Sequence, residues 1–169
     1  QQILVDGGPE PLRLLSALGR CMPFWDRTLD LVVLTHPDSD HLAGLIPVLE
    51  RYRVRAVLCG EWPATSAAVA QWQSLLADKA IARLPAQPGT QITWGETIHL
   101  QVLYPPVGWL PLTAADDNNR SLVLRLTCGE VAFLLTGDIE AAAEAYLLAN
   151  GELAPAWVLK VSHHGAAEG

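Results

Sequence analysis

The sequence predicts an α/β domain in which helices cover sheets. Short apolar runs rich in Val, Ile and Leu alternate along the chain with longer segments of helical periodicity, and this alternation is typical of layered α/β folds. The chain has 169 residues, of which half are apolar. That length suits one packed domain and is too short for two ordinary ones. We therefore expect a single domain over residues 1–169.

Each predicted element has a local signal. Apolar β-branched runs predict strands, and helical spacing that ends at Gly or Asn predicts helices. Pro47 would break a helix already running, so we expect a helix that starts near Leu45 and a loop over residues 36–44. The predicted strands are residues 3–5, 29–35, 54–58, 92–94, 98–104, 121–127, 130–135 and 157–161. The other predicted helices are residues 11–18, 64–77 and 140–148, and Gly19 is expected to end the first of them. Residues 105–120 are expected to form a long loop.

The composition argues against several classes of protein. A formal net charge of −7 disfavours a broad electrostatic grip on nucleic acid, which needs clustered Lys and Arg. No apolar run approaches the roughly 20 residues that span a bilayer, so the chain itself is expected to be soluble. Cys21, Cys59 and Cys128 form no CxxC pair and are expected to be small buried hydrophobic residues.

Four polar clusters share one position, just past the end of an apolar strand. Strand ends converge at one edge of a layered α/β fold, so side chains there can meet at a ligand. The richest cluster places two imidazoles and two carboxylates within six residues, and these groups repel or stay unpaired unless a cation joins them. The clusters are Asp6-Gly7-Gly8, His36 to His41, Gly137-Asp138 and His163-His164-Gly165.

The acidic residues also have a structural explanation. Asp38 and Asp40 suit a turn or a helix cap, although capping accounts for neither His36 nor His41. Asp138 could likewise cap the helix that follows it. The two histidines at the ends of the first motif therefore favour metal binding over capping.

The other polar residues of interest are less informative. Strand alternation places His163 and His164 on opposite faces, so one of them would reach the site, and the sequence does not decide which. His99 stands alone in a strand and is expected to be structural. Lys160 and Arg120 are expected to be solvated surface charges, with contact to phosphate as the alternative.

The motifs resemble those of the metallo-β-lactamase superfamily, and most closely the C-terminal hydrolase domain of ComEC-type competence proteins, which are membrane channels for DNA uptake. The resemblance implies an αββα four-layer sandwich with its metal site along one edge of the two sheets. Both ends look cut, so we expect a piece of a larger membrane protein, truncated at both ends, that faces outside the cytoplasm. The motifs are ILVDGG at 3–8, HPDSDHLAG at 36–44, NNRSLVL at 118–124, LLTGDIE at 134–140 and LKVSHHG at 159–165.

The resemblance also implies two divalent cations. His36 and Asp38 would bind the first cation, and Asp40 and His41 the second. Asp138 would bridge the two ions. The chemistry would be carried by His36, Asp40, His41 and Asp138.

Two departures from the superfamily pattern affect the metal. Asp38 stands where a histidine is usual, and the further histidine usual before Gly-Asp has no match. Asp117 or Asn119 is expected to substitute, with a weak first site as the alternative. His163 or His164 would complete the second site. Carboxylate and amide oxygens suit manganese or magnesium better than zinc. We therefore expect up to two ions, with Mn²⁺ favoured and Zn²⁺ as the alternative.

The implied function is hydrolysis of phosphodiester bonds in single-stranded DNA, by which a ComEC-like protein degrades the strand that is not taken up. The expected partners are single-stranded DNA and the rest of the uptake channel. Two alternatives stay open: a hydrolase of small esters, lactams or thioesters, and a catalytically weak module that guides DNA or supports the channel. Since metal ligands need preorganised neighbours, the chain by itself is expected to have little activity.

Overall fold

The computed structural model describes residues 1–64, 66–108 and 118–166. The chain divides into two compact units, Gln1–Pro85 and Ala86–Gly169. Each unit combines a β-sheet with helical segments, so the predicted α/β class is confirmed. The description of the whole chain as one domain stays a prediction.

The first unit is built on parallel strands. The strands are β1 (Ile3–Val5), β2 (Thr28–Leu29), β3 (Leu31–Leu34), β4 (Arg53–Val54), β5 (Ala56–Cys59) and β6 (Ala82–Pro85). The helices are α1 (Pro11–Cys21), α2 (Ser39–Leu42), α3 (Leu45–Arg51) and α4 (Ala67–Asp78). The main sheet has the order β1-β3-β5-β6 with every neighbour parallel, and β2 pairs with β4.

The core of this unit forms around β3. All four residues of β3 are fully buried, as expected for a parallel strand that is covered on both faces. Apolar side chains of α3 and α4, among them Leu45, Leu49 and Trp72, join the same core cluster. Because this packing fixes the end of β3 at Leu34, it also fixes where the polar residues that follow begin.

Several predicted boundaries in the first unit are wrong. The predicted strands 29–35 and 54–58 are interrupted at Asp30 and Arg55, and the predicted helix 64–77 covers Ala67–Asp78. Helix α1 continues past Gly19 to Cys21, because an interior glycine costs a helix only about 1 kcal/mol and the Met22 N–H still donates to the Leu18 carbonyl. The predicted loop at residues 36–44 contains the helical turn α2, in which the N–H groups of His41 and Leu42 donate to the Asp38 carbonyl. Pro47 does lie in the first turn of α3, as predicted.

The cysteine prediction is wrong at two of three positions. Cys21 and Cys128 are exposed, and Cys59 alone among them is buried. Burial raises the pKa of the Cys59 thiol, and the nearby Arg83 guanidinium partly opposes this shift.

Strand β6 was not predicted, because its short sequence mixes apolar and charged residues and lies at the edge of the sheet.

The second unit is built on an antiparallel meander. The strands are β7 (Gln91–Trp94), β8 (Ile98–Tyr104), β9 (Val123–Cys128), β10 (Val131–Leu135) and β11 (Val158–Lys160), and the helix is α5 (Ala141–Ala149). Strands β7 to β10 pair antiparallel in sequence order, and β11 joins β10 in parallel. Short 3₁₀ turns cover Asn118–Arg120 and Ser162–Gly165.

Helix α5 is capped by a residue from a distant loop. The Asn119 Oδ1 atom accepts hydrogen bonds from the backbone N–H of Glu140, at 3.0 Å, and of Ala143, at 3.4 Å. The helix has no capping bond from its own N-cap side chain. Asn119 thus satisfies donors that the start of a helix otherwise leaves unpaired, and this holds the Gly137–Glu140 segment in place.

In the part of the chain that the structure describes, no helix has the length and apolar character required to cross a membrane.

The approach of two glycines generates the first prediction. The Gly7 N–H donates to the His41 carbonyl at 2.7 Å, and the Gly44 N–H donates to the Gly8 carbonyl at 3.0 Å. A Cβ added at Gly44 would overlap the Gly7 carbonyl. We expect Gly44→Ala to lower the free energy of unfolding by about 1–3 kcal/mol, because backbone must move.

The matched control is Gly19→Ala in α1. A Cβ there meets nothing within 4 Å, and alanine is the better helix former, so stability should rise by up to about 1 kcal/mol. Urea denaturation of both variants checks this prediction. Equal stability of the two variants would contradict it.

The second prediction concerns Asn119. Replacing it with alanine removes the acceptor of the Glu140 N–H and one of the two acceptors of the Ala143 N–H, which also donates to the Glu140 carbonyl. We therefore expect a loss of about 1–3 kcal/mol in the free energy of unfolding. Asn118→Ala is the control, since that side chain gives up a single hydrogen bond, to Glu140, and should cost less. Thermal unfolding compares the two variants, and a larger loss in Asn118→Ala would refute the capping role.

Candidate functional site

The first cluster of polar residues lies where β3 ends. It consists of His36, Asp38, Asp40 and His41, and we call it the β3 cluster. The turn of α2 brings the imidazole of His41 back to that of His36, with ring centroids 4.0 Å apart. His36 Nε2 lies 3.8 Å from Asp38 Oδ2, and His41 Nε2 lies 3.9 Å from Asp40 Oδ2. The two imidazoles are buried and the two carboxylates are about half exposed.

Asp6 orients His41 from beneath the cluster. Its Oδ2 lies 2.8 Å from His41 Nδ1, and its carboxylate also accepts bonds from the Thr35 backbone N–H and hydroxyl, both at 2.8 Å. An ionised carboxylate only accepts, so Nδ1 of His41 carries the proton. The Nε2 lone pair therefore faces Asp40, which is the orientation that a metal ligand requires.

The same network orients His36. The Thr35 hydroxyl uses its one proton on Asp6, so its oxygen is left to accept from His36 Nδ1, which lies 3.1 Å away. His36 consequently also presents its Nε2 lone pair beside a carboxylate. Two imidazole nitrogens and two carboxylates suit a divalent cation, so the residues fit the metal that the sequence predicted.

The capping explanation for the acidic residues is not supported. Asp38 occupies the N-cap of α2, yet its side chain makes no capping hydrogen bond. The N-cap of α5 is Glu140. The Asp138 backbone N–H donates to the Ser121 hydroxyl at 3.1 Å, and Asp138 is not the cap of that helix.

The second cluster lies at the ends of β10 and β11 in the second unit. It consists of Asp138, Lys160 and His164, and we call it the Asp138 cluster. The Asp138 side chain is 3% exposed; its Oδ2 lies 3.1 Å from His164 Nε2, and its Oδ1 lies 3.2 Å from Lys160 Nζ. Each carboxylate oxygen therefore has a different nitrogen neighbour.

The structure separates the two adjacent histidines, which the sequence left open. His164 contacts Asp138, whereas His163 Nδ1 lies 3.8 Å from Glu140 Oε1. The predicted alternation of faces does not extend this far, because β11 ends at Lys160 and both histidines adopt left-handed φ angles. His163 Nδ1 is buried and has no hydrogen-bond partner within the described ranges.

Two other polar residues differ from expectation in their surroundings. Lys160 was expected to be a solvated surface charge; instead its ammonium donates to the Gly137 carbonyl at 2.7 Å and contacts Asp138. Asn119 is buried and accepts hydrogen bonds from the start of α5, which gives it a structural role. Its role as a substitute metal ligand stays a prediction. Asp117 lies outside the described residues.

His99 and the Asp6–Thr35 pair complete the comparison with the sequence. His99 is exposed, and its Nε2 lies 3.2 Å from the Glu96 carbonyl oxygen, a local contact consistent with a structural role. Sequence reasoning singled out Asp6 by its position after β1 but missed its contact with His41, and it missed Thr35 entirely. A positive φ of 55° at Asp6 marks a strained residue, which only the structure reveals.

Known proteins similar to this chain agree with these features. The chain is 26% identical to "ComE operon protein 3" of Bacillus subtilis (strain 168) over 140 residues. The matched region is 83% of this chain and 17% of that protein. The chain thus spans about a sixth of the length of this relative. The similarity agrees with the ComEC-like resemblance of the motifs.

Solved structures share the fold. The Rm3 metallo-beta-lactamase is 16% identical with a TM-score of 0.58, and the match covers 95% of this chain and 67% of that one. The metallo-beta-lactamase fold protein YhfI from Bacillus subtilis is 23% identical with a TM-score of 0.53, over 80% of this chain and 50% of that one. Zn(2+)-bound PqqB from Methylobacterium extorquens is 14% identical with a TM-score of 0.52, over 93% of this chain and 51% of that one.

The family assignment covers nearly every residue. The sequence profile described as "Metallo-beta-lactamase superfamily" matches residues 3–169, and this range contains all the motifs on which the predicted fold rests. The predicted fold class is confirmed by this match and by the solved structures. The chain therefore belongs to the metallo-β-lactamase superfamily.

Proposed function

We propose that this chain is the metal-dependent phosphodiesterase unit of a DNA-uptake protein, and that it degrades the DNA strand that is not taken up during natural transformation. Membership of the metallo-β-lactamase superfamily supports metal-dependent hydrolysis. Similarity to ComE operon protein 3 supports a role in competence. The DNA substrate, the channel as partner and a location outside the cytoplasm come from the ComEC-like motifs.

One observation carries the proposal furthest. The Asp6–Thr35 network gives both buried histidines of the β3 cluster the tautomer in which Nε2 carries a lone pair, as a metal ligand must. A turn that served only to reverse the chain would not require a partly buried carboxylate to fix two imidazoles. The arrangement is instead that of ligands held ready by their neighbours.

The proposed ligands combine the family pattern with the contacts inside each unit. Within the β3 cluster all four residues are proposed ligands, in the pairs His36 with Asp38 and Asp40 with His41. From the second unit we propose Asp138 with His164, rather than His163, because the His164 Nε2 lies beside the Asp138 carboxylate.

Each part of the chain has a distinct role in this proposal. A bound divalent cation would supply Lewis-acid activation of water and stabilisation of charge on the phosphate. Asp40, about half exposed beside His41, orients a water molecule or takes its proton. Asp6 keeps His41 in one tautomer throughout. The share of carboxylate oxygens favours Mn²⁺ over Zn²⁺ as the activating ion.

The third prediction tests this function in the full-length protein. We expect labelled single-stranded DNA to be cleaved in Mn²⁺, and Asp138→Ala to lower the rate by more than about 100-fold, because a ligand is lost. Asp78→Ala is the matched control: that exposed aspartate of α4 contacts Ser74, so its loss should leave the rate unchanged.

Parallel assays separate the competing functions. Nitrocefin and a generic phosphodiester are offered with Mn²⁺, Mg²⁺ or Zn²⁺. Turnover of nitrocefin without DNA cleavage would replace the proposal with a small-molecule hydrolase. No turnover with any metal would leave a module that guides DNA or supports the channel. Activity in Zn²⁺ alone would overturn the manganese preference.

The fourth prediction tests the Asp6 network through metal affinity. Asp6→Asn removes the charge that fixes His41, and we expect Mn²⁺ to bind about 10–100-fold more weakly, measured by isothermal titration calorimetry. Glu10→Gln makes the same change of charge at a nearby exposed position that contacts Arg13, so its affinity should stay at the wild-type value. Equal affinities of the two variants would refute the orienting role.

A further inference from the structure

The loop that leads into β2 exposes two adjacent aromatic side chains. Phe24 is 85% exposed and Trp25 is 74% exposed. The two rings meet edge to face, with centroids 4.8 Å apart and an interplanar angle of 85°, so they form one apolar projection. Aromatic side chains bury about 150–250 Å² each when they are covered, and a contiguous exposed apolar patch often marks a surface that binds a partner. The pair therefore points to an interaction surface.

Hydrogen bonds hold the turn that carries these rings, which we call the aromatic turn (Pro23–Asp26), in one conformation. The Asp26 N–H donates to the Pro23 carbonyl at 2.9 Å. The Asp26 carboxylate accepts from the Thr28 backbone N–H at 2.9 Å and from the Gln2 side-chain amide at 3.0 Å. A partner would gain the burial of both rings without having to order the loop that presents them.

Two uncompensated arginines lie on the strand pair that the aromatic turn leads into. The Arg53 N–H donates to the Arg27 carbonyl at 2.8 Å. In the β2–β4 pair, Leu29 and Val54 belong to the core, so alternation along β4 turns Arg53 towards solvent. Arg27 and Arg53 are both exposed, and within the described ranges neither guanidinium forms an ion pair. Both charges are available to an external anion.

These residues lie at the end of the first unit that is away from the β3 cluster. Strand β2 ends at Leu29, β3 begins at Leu31, and the β3 cluster follows Leu34 at the other end of β3. The four residues of β3 span roughly 13 Å. A partner that covered the aromatic turn would therefore leave the β3 cluster uncovered.

We propose that the aromatic turn, together with Arg27 and Arg53, docks on an anionic lipid surface. Phe24 and Trp25 would lie at the level of the headgroups, where aromatic rings accompanied by basic side chains favour the membrane interface. The two guanidiniums would bind lipid phosphate oxygens, for which their planar fork is well shaped. The inference does not depend on the proposed nuclease activity. It directs the β3 cluster away from the bilayer.

Single-stranded DNA is the competing partner, because it also combines phosphates with groups that stack on aromatic rings. The ring geometry disfavours DNA, since two rings at 85° to each other do not offer parallel faces to successive bases. The position disfavours it as well, because a strand held at the start of β3 lies at the opposite end from the β3 cluster. Neither observation opposes a lipid surface.

The fifth prediction is tested by photo-crosslinking of the full-length protein reconstituted in vesicles, with labelled single-stranded DNA present. Trp25 is replaced by p-benzoylphenylalanine, which keeps an aromatic group and reacts on illumination with the C–H bonds that it touches. In vesicles of phosphatidylcholine and phosphatidylglycerol, we expect mass spectrometry to find a lipid adduct at position 25. In phosphatidylcholine alone the adduct should fall at least about fivefold, because the arginines lose their anionic partners.

Position 12 provides the matched crosslinking control. Leu12 is 78% exposed and lies in the first turn of α1. This helix follows β1, whose last residue Val5 pairs with Val33 near the β3 cluster. Leu12 therefore lies at the opposite end of the first unit from the aromatic turn. The same photoreactive residue at position 12 should give at least about tenfold less lipid adduct than at position 25.

The role of charge is tested at a phosphatidylglycerol content that gives half of the maximal adduct at position 25. Arg53→Gln should lower the yield about fivefold, since each arginine near an anionic surface strengthens its binding. Arg13→Gln removes an exposed charge that pairs with Glu10, away from the aromatic turn, and should leave the yield unchanged. Circular dichroism confirms that each variant is folded.

Three outcomes would overturn the inference. The first is the absence of a lipid adduct at position 25, or a yield equal to that at position 12. The second is a yield that depends neither on phosphatidylglycerol nor on Arg53. The third is a crosslink to DNA, which would assign the aromatic turn to nucleic acid, or to another segment of the same protein in place of lipid. DNA cleavage in Mn²⁺, measured on the same preparations, tests the proposed function separately.

Discussion

The Asp6 carboxylate is the group on which the β3 cluster depends. Its hydrogen bonds to the Thr35 backbone, the Thr35 hydroxyl and His41 tie the end of β1 to the end of β3 and to α2. A single ionised acceptor thereby fixes the tautomers of two imidazoles. The strained backbone at Asp6 is tolerated because these bonds hold it, and strain of this kind tends to accompany functional sites.

Close packing of backbone supports the same network. Gly7 and Gly44 let the loop after β1 meet the start of α3 without side chains between them, and the Gly7 N–H binds the carbonyl of His41. His41 is thus held at its ring by Asp6 and at its backbone by Gly7. A ligand fixed at both points loses little conformational freedom when a cation binds, which is the physical advantage of preorganisation.

The charged groups of the Asp138 cluster are arranged differently from those of the β3 cluster. The β3 cluster concentrates carboxylates near the surface and imidazoles beneath them, whereas Asp138 is buried between an ammonium and an imidazole. A buried carboxylate is costly without compensating charge. Lys160, the last residue of β11, provides that compensating charge.

Much of the fold was predictable from local signals. Apolar runs located most strands, and Pro47 located the start of α3, because buried parallel strands and helix first turns leave strong patterns in sequence. The short helix α2, the extension of α1 past Gly19 and the edge strand β6 were missed. Each of these depends on weak local preferences that tertiary contacts override.

The sequence by itself determined the family, the α/β class and the residues that could bind a metal, since these follow from residue type and spacing along the chain. Tertiary structure alone decided which side chains meet: Asp6 with His41, His164 rather than His163 with Asp138, and Lys160 with Asp138. The reason is physical. Chemical identity is carried by each residue, whereas a tautomer, a charge pair or a choice between neighbouring histidines depends on distances between segments far apart in the chain.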